Sequence, residues 1–434
     1  METKSGFSRR DFLRGSAALA AGLTVAPSTS AKAASGPTNI VYWYWADSPQ
    51  IGEFFRRTID NFNKRQTAVH VEGVALPSTA VARAKIVTAA ASGAELPDVS
   101  FTIQTLISEF YQAGMVRTLD DFYKSWNEKE DLWPAAIESA RWIKGERPLM
   151  FLPWAVEVGM HYYRADLFKA ANQKPPETFD DLIATAKALN KPPEQYGFGL
   201  RGADGIGMNY NLIQYMAGHG LVMATPDGKT DLDSPLAEEI ATAIARLYWD
   251  GVIQPSALQD RMAQMMALLQ TGKIAQWSAG TLHGRMIDTG DQMRKAGKFA
   301  NCTIPVGKAE KRKADPWYVV NGKGNAMMKT TKHPEAAWQW LTELTSTNTV
   351  MENGQVGGDV PSRKSVTDLP IYKQDSLVTE AIKVQKSWRA NAVWHKHWPE
   401  FYGDPGAKEW QQVLMKQKSV KDMLKTFAGW MRDI

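Results

Sequence analysis

Residues Val41–Pro49 read VYWYWADSP: four large aromatics in succession, Tyr42 to Trp45, followed by a stop of Asp, Ser and Pro. Side chains on a strand alternate between faces, so Val41, Trp43 and Trp45 point one way and Ile40, Tyr42 and Tyr44 the other. Both faces are apolar, which suits a strand covered on each side, as in a parallel sheet flanked by helices. Ser48-Pro49 predicts a helix start, with Pro49 at the first helical position. Ile51, Phe54, Phe55, Thr58, Ile59 and Phe62 then recur at the spacing of one helix face. VHVEGV (Val69–Val74) predicts a second strand. Thr79–Ser92 predicts an Ala-rich helix ended by Gly93, and VSFTI (Val99–Ile103) a third strand. A β-α-β-α-β opening is the signature of a doubly wound α/β unit. In such sheets ligands bind in the crevice beyond the carboxyl ends of the strands. Trp45 and Asp47 fall at that end of the first strand, and Thr102 and Gln104 at that end of the third.

The composition sets bounds. A chain of 434 residues is long enough for two or three domains. The formal net charge is +5. Five cations and two anions in the first 33 residues supply +3 of it, leaving +2 for the remainder. So balanced a chain gives no sign of a nucleic-acid partner or a strongly acidic ligand. Its one cysteine, Cys302, has no partner for an internal disulfide. The 16 tryptophans are unusually many and bear on the ligand class below.

SRRDFLRG (Ser8–Gly15) pairs two arginines ahead of Phe12 and Leu13. A weakly apolar stretch, Ala17–Val25, and a small-x-small site, Ala31-Lys32-Ala33, follow. Residues 1–33 resemble a bacterial twin-arginine export signal. No cysteine lies near the cleavage site, and no later run approaches the roughly 18 apolar residues of a membrane span. The expected mature protein is soluble, in the periplasm or released outside.

Further along, RPLMFLPWAVEVGMHYYRADLF (Arg147–Phe168) reads as strand, break, strand, with Pro153 and Trp154 at the break. Phe179–Leu189, Glu238–Trp249 and Met262–Leu269 are expected helices, Ile274–Trp277 a strand, and GFGL (Gly197–Leu200) a short strand. Another strand ends at Met327-Met328, and Pro334 opens a helix. There are no internal repeats, and no linker is long enough to separate independent domains.

Six stretches in order, LPDVSFT, AGMVRTLDDF, LPWAVEVGMHYYRADLF with PPETFDDLIATAKAL, LQTGKIAQWSAG, GKGNAMMKTTKHPEAAWQWLTELTS and GGDVPSRKSV, resemble the family 1 extracellular solute-binding proteins of ABC transporters. Maltose-binding protein belongs to that family, and AVEVGMHYYRADLF is close to its first hinge segment. The resemblance implies an α/β periplasmic binding protein fold: two lobes, each a doubly wound sheet flanked by helices, joined by three crossings and closing on a ligand. The implied lobes are residues 34–154 with 303–345, and 158–302 with 346–434. It implies no catalysis and no cofactor. The expected partners are a carbohydrate or polyol and an inner-membrane ABC permease, with the protein itself a monomer.

A sugar offers apolar C–H faces to flat aromatic rings and a hydroxyl rim to polar side chains. On that basis Trp45 is a candidate platform, whereas Trp43, two residues deeper, belongs to the core. Glu157 and Trp154 lie in the hinge segment, where the family places ligand contacts. Ser278, Gly280 and Thr281 lie in the family's second-lobe ligand loop; Leu282 and His283 stand where maltose-binding protein has an aromatic nearby, which puts maltose itself in doubt. Gly357, Gly358, Asp359 and Arg363 form a loop whose N–H groups and guanidinium suit hydroxyl or anionic oxygens. Trp317 and Trp394 are further candidate platforms, and Arg201 is a weaker candidate. Two rivals stay open: the same fold binding a phosphorylated polyol or a polyamine, and a secreted carbohydrate-active enzyme. Asp120 and Asp121 are adjacent helix-start residues, not a glycosidase pair. GFGLRG fits G-x-G-x-x-G, but no long helix is expected after it and no acidic residue stands about 20 positions on, so it is not a dinucleotide fingerprint. His395 and His397 have no accompanying metal-ligand cluster.

Overall fold

Ser48 accepts a hydrogen bond from the Ile51 N–H at 3.3 Å, and Pro49 fills the first turn, so the aromatic strand is followed at once by a helix. The computed structural model describes residues 36–433 except 47, 143–144 and 392–393. Asp47 and the export segment 1–33 therefore lie outside the described residues.

Strand β1 (Thr38–Trp45) leads into helix α1 (Pro49–Arg65), which buries Phe54, Phe55, Thr58, Ile59 and Phe62. Strand β2 (Val69–Leu76) runs parallel to β1, in register from Thr38↔Val69 to Trp45↔Leu76. Helix α2 (Thr79–Ser92) is capped by Ser78 and closed by Gly93 in the left-handed conformation. Strand β3 (Val99–Ile103) then pairs with the other edge of β1. Helix α3 (Gln104–Gln112) starts at the residue after it. The aromatic run is sandwiched as its two-sided apolarity requires. Tyr42 and Tyr44 pack on Phe55, and Tyr42 also meets the edge of Trp340 at 5.4 Å. Lys85 lies 4.1 Å over the ring of Trp43 on the other side.

The remaining strands are β4 (Val116–Arg117), β5 (Leu152–Tyr163), β6 (Gln276–Gly280), β7 (Ala300–Thr303), β8 (Tyr318–Met328), β9 (Val360–Pro361) and β10 (Trp388–Ala390). The sheet runs β2-β1-β3-β8-β5-β6, with β4 and β10 on β8, and β7 and β9 on β5. β5 is one strand, not the expected two. Its break is a register shift between Pro153 and Ala155, where proline removes a ladder donor. Leu152–Val158 pairs with β8 of the first lobe, and Gly159–Tyr163 with β6 of the second. This strand is the first crossing.

Beyond residues 303 and 345 the chain keeps the partners of the segments that precede it. Residues 304–317 still bond to second-lobe backbone: Phe179 N–H to Val306 O at 2.8 Å, Gly307 N–H to Gly218 O at 3.0 Å and Trp317 N–H to Ala217 O at 3.1 Å. The helix Thr347–Gly357 lies beside α1, with Glu352 paired to Arg57, and β9 pairs with the first-lobe half of β5. Second-lobe contacts resume near Ser376, whose carbonyl accepts from Asn301 Nδ2 at 3.2 Å.

Two local expectations also change. GFGL makes only the isolated bridge Phe198↔Ile253, next to Tyr196↔Ile274, and its glycines pack closely on Ala186 and on Ile274 and Met265. A long helix, Gly205–Gly218, does follow it, capped by Asp204 Oδ1 accepting from the Gly207 N–H at 2.9 Å. It is buried almost all round, so its sequence carries no polar face to mark it. No helix among the described residues is long and apolar enough to cross a membrane.

Candidate functional site

Where β5 passes between the lobes, the chain encloses a cavity of about 180 Å³. From the first-lobe side Ile103 and Thr105, at the β3–α3 junction, reach it together with Asn321 and Lys323 of β8. From the second-lobe side Trp277, Ser278 and Gly280 of β6 form a wall, with His283 just beyond. Arg201, Tyr210 and Tyr402 close it. This is the crevice beyond the carboxyl ends of the first-lobe strands β1 and β3.

Its charged centre is Lys323, whose Nζ lies 3.1 Å from Glu157 Oε2 and 2.9 Å from Asp359 Oδ2. All three side chains are at most 16% exposed. Burial works against the Lys323 charge, but the Asp359 and Glu157 carboxylates more than reverse this and hold its pKa above the ordinary lysine value. Burial pushes Glu157 up, yet Lys323, and more weakly Arg201, bring it below the usual carboxylate range. Asp359 goes the other way: burial pushes it up to about 6 despite Lys323. Glu157 is thus the ionised carboxylate facing the cavity. It reaches this position because residue 280 is glycine; a Cβ there would lie 2.0 Å from Glu157 Oε1.

The aromatic surface comes from Trp277, Tyr210 and Tyr402, the last stacked on Trp398 at 4.9 Å. His283 meets Trp277 edge-on at 5.9 Å. Burial lowers His283 to about 4, so its ring is neutral. Its Nδ1–H donates to Gly280 O at 3.1 Å, leaving Nε2 as an acceptor. Arg201 donates through Nε and Nη2 to Asp204 at 3.1 and 2.7 Å. Asn321 Oδ1 is buried without a partner. The wall therefore offers flat apolar faces, several hydrogen-bond acceptors, and two cations already paired with carboxylates.

Of the residues singled out from sequence, Glu157, Ser278, Gly280 and Arg201 line this cavity. Thr281 stands directly behind, its Oγ1 accepting from the Val158 N–H at 3.3 Å, and Asp359 acts through Lys323. The others among the described residues do not line it. Trp45 is buried edge-on against Phe101 at 4.2 Å, because β3 carries a ring to the end of the aromatic strand. Trp154 stacks on Phe55 at 5.3 Å. Thr102 and Gln104 are buried on either side of Ile103, and Gln104 Nε2 donates to Asn391 O at 3.3 Å. Trp317 donates its Nε1–H to Leu221 O at 3.2 Å, and Trp394 is buried. Gly358 caps the helix Thr347–Gly357 in the left-handed conformation. Arg363 is a structural clamp: it donates to Thr345 O at 2.5 Å and to Asp131 at 3.1 Å, pairs with Glu128, and lies 5.5 Å over Trp126.

Lys323, Asn321, Tyr210, Met262 and Tyr402 were not singled out. Lys323 had a signal: it is the one charge in the strand YVVNGKGNAMM. Tyr210 sits in the unrecognised buried helix, and nothing local distinguishes Tyr402.

Comparisons with known proteins agree with this architecture. A Brucella abortus (strain 2308) protein named as a binding protein is 25% identical over 365 residues, 82% of this chain and 83% of its own. The mannitol-binding protein of Pseudomonas aeruginosa is 29% identical over 177 residues, 38% of each chain. An ABC transporter solute-binding protein from Agrobacterium radiobacter K84, solved in complex with ribitol, superposes with a TM-score of 0.72 at 21% identity, covering 91% of this chain and 98% of that one. Residues 6–26 match the twin-arginine translocation pathway signal sequence, so the protein is one exported by that route. Residues 45–350 match the bacterial extracellular solute-binding proteins, and with a two-lobed α/β chain around a crevice of aromatic faces and paired charges, this protein belongs to that family.

Proposed function

We propose that the protein captures a carbohydrate or polyol in the Trp277–Glu157–Lys323 cavity and delivers it to an inner-membrane ABC permease. The observation that carries this reading is the mixed wall: aromatic faces suited to C–H surfaces, beside carboxylate, amide and hydroxyl acceptors and two paired cations. The mannitol- and ribitol-binding relatives point to the same ligand class. A polyamine would meet Arg201 and Lys323 as like charges, which disfavours it.

The lobes we assign are residues 38–158 with 318–369, and 159–317 with 376–433. The strand pairing of β5 and the backbone bonds of residues 304–317 support this assignment. β10 is an exception within the latter segment, because it pairs with β8. Solute would bridge the lobes and favour the closed state. The protein would work as a periplasmic monomer without turnover of its ligand. A thermal-shift screen followed by calorimetry against neutral sugars, sugar alcohols, polyamines and sugar phosphates tests the reading, because a ligand of the folded state raises the melting temperature by mass action. Binding within the first two classes supports it. Binding confined to polyamines, or to no member of the panel, refutes it.

A further inference from the structure

Ser278 lines the cavity, and the hydrogen-bonding capacity of its hydroxyl is set by buried neighbours. It is the cross-strand partner of His161, β6 against β5. His161 Nδ1 lies 2.9 Å from Ser278 Oγ, and His161 Nε2 lies 2.9 Å from Gln276 Oε1. Tyr215 Oη lies 2.8 Å from Ser278 Oγ. All four side chains are buried.

The direction of every bond in this chain follows from one carbonyl. Leu182 O can only accept, and it lies 3.5 Å from Gln276 Nε2. Thr185 Oγ1 donates to the same carbonyl at 3.1 Å and accepts from Gln276 Nε2 at 3.2 Å. The amide nitrogen therefore faces Leu182, and the amide oxygen faces His161. An amide oxygen only accepts, so His161 Nε2 carries the proton. Burial lowers His161 to about 4, partly offset by the bond to Gln276, so the ring is neutral and Nδ1 holds a lone pair. Ser278 must then donate its own proton to Nδ1. Tyr215 must donate to Ser278. A hydroxyl oxygen has two lone pairs; one is left unused by His161 and Tyr215.

We propose that His161 is a positioning residue that fixes Ser278 as a hydrogen-bond acceptor, so that this wall selects a solute hydroxyl proton and rejects a carboxylate or phosphoryl oxygen. The inference rests on reading the cavity as the solute site. Ionised Glu157 and the unpartnered Asn321 Oδ1 are acceptors as well, so three groups ask for donors. An uncharged polyhydroxylated solute supplies them. A phosphoryl group brings only acceptors to these three, and the Lys323 and Arg201 cations beside them are already paired with carboxylates.

Two measurements test this. Long-range ¹H–¹⁵N correlation spectra of the unliganded protein read the tautomer of His161, assigned by the loss of its signals in His161→Gln or, if that variant does not fold, by their shift in Tyr215→Phe. The neutral Nε2–H form is expected throughout pH 5.5–8. The Nδ1–H form, or a charged ring, overturns the relay whatever the protein binds. Calorimetry then uses mannitol, ribitol and mannitol 1-phosphate as probes. Ser278→Ala and His161→Gln are each expected to weaken the neutral probe roughly 5–50-fold, about one hydrogen bond, and the double variant no more than Ser278→Ala alone. His161→Gln that melts earlier yet binds normally overturns the proposal, as does mannitol 1-phosphate binding as tightly as mannitol. Failure of every neutral sugar and polyol would instead count against the proposed function, and the tautomer would still decide the relay.

Discussion

Replacing Lys323 by Met tests whether the charged centre is as closed to water as the structure has it. Lys323 Nζ holds Glu157 at 3.1 Å and Asp359 at 2.9 Å. At an effective dielectric of about 20, each contact is worth about 5 kcal/mol of Coulomb attraction, most of it offset by desolvation of three ions. Removing the cation leaves two carboxylates facing each other without their shared counter-charge. The expected cost is about 3–5 kcal/mol at pH 7.5, the range for breaking a buried pair from one side. The pH dependence has a definite sign. Without Lys323 the folded-state pKa of at least one carboxyl rises above its unfolded value. The protonated form is then stabilising, and that contribution is lost as pH rises through the folded pKa. Asp359 stands at about 6 even with Lys323 present, so the penalty should be clearly smaller at pH 4.5 than at pH 7.5. Urea unfolding of both proteins at the two pH values, followed by tryptophan fluorescence, measures it. A variant as stable as the parent at pH 7.5, or a penalty that grows on acidification, would refute the reasoning.

Gly280→Ala should displace the Glu157 carboxylate from Lys323, weakening solute binding at least tenfold in calorimetry and lowering stability in urea unfolding as well. Trp45→Ala should lower stability by roughly 3–5 kcal/mol through the lost contact with Phe101, with solute affinity nearly unchanged in the folded fraction; normal stability with lost affinity would return Trp45 to the site. Replacing Arg9 and Arg10 together with Lys should leave precursor in the cytoplasm, checked by fractionation. Arg363→Ala should cost about 1–3 kcal/mol in urea unfolding, mainly through the lost bond to Thr345 O and the contact with Trp126, because Glu128 is half exposed and water screens its loss.

Local signals made the first lobe legible. Ser48, Ser78 and Gly93 mark helix ends by their own chemistry, and the face Phe54–Phe62 repeats with the helix period. The helix Gly205–Gly218 was not legible, because a fully buried helix has no polar face and three glycines dilute its propensity. The site divides the same way. Glu157, Ser278 and Gly280 sit in stretches with a family likeness, whereas Tyr210 and Tyr402 reach the cavity only through tertiary packing. Trp45 shows why: an aromatic at a strand end looks alike whether a ligand or a neighbouring strand covers it, and here Phe101, 56 positions away, packs against it.

The most direct test is a crystal structure of the protein with the neutral sugar or polyol that binds best in calorimetry. The solute should lie between Trp277 and Lys323, with hydroxyl groups donating to Glu157 and to Ser278 Oγ. A solute bound outside this cavity, or one turning an ether or carbonyl oxygen towards Ser278, would contradict the account.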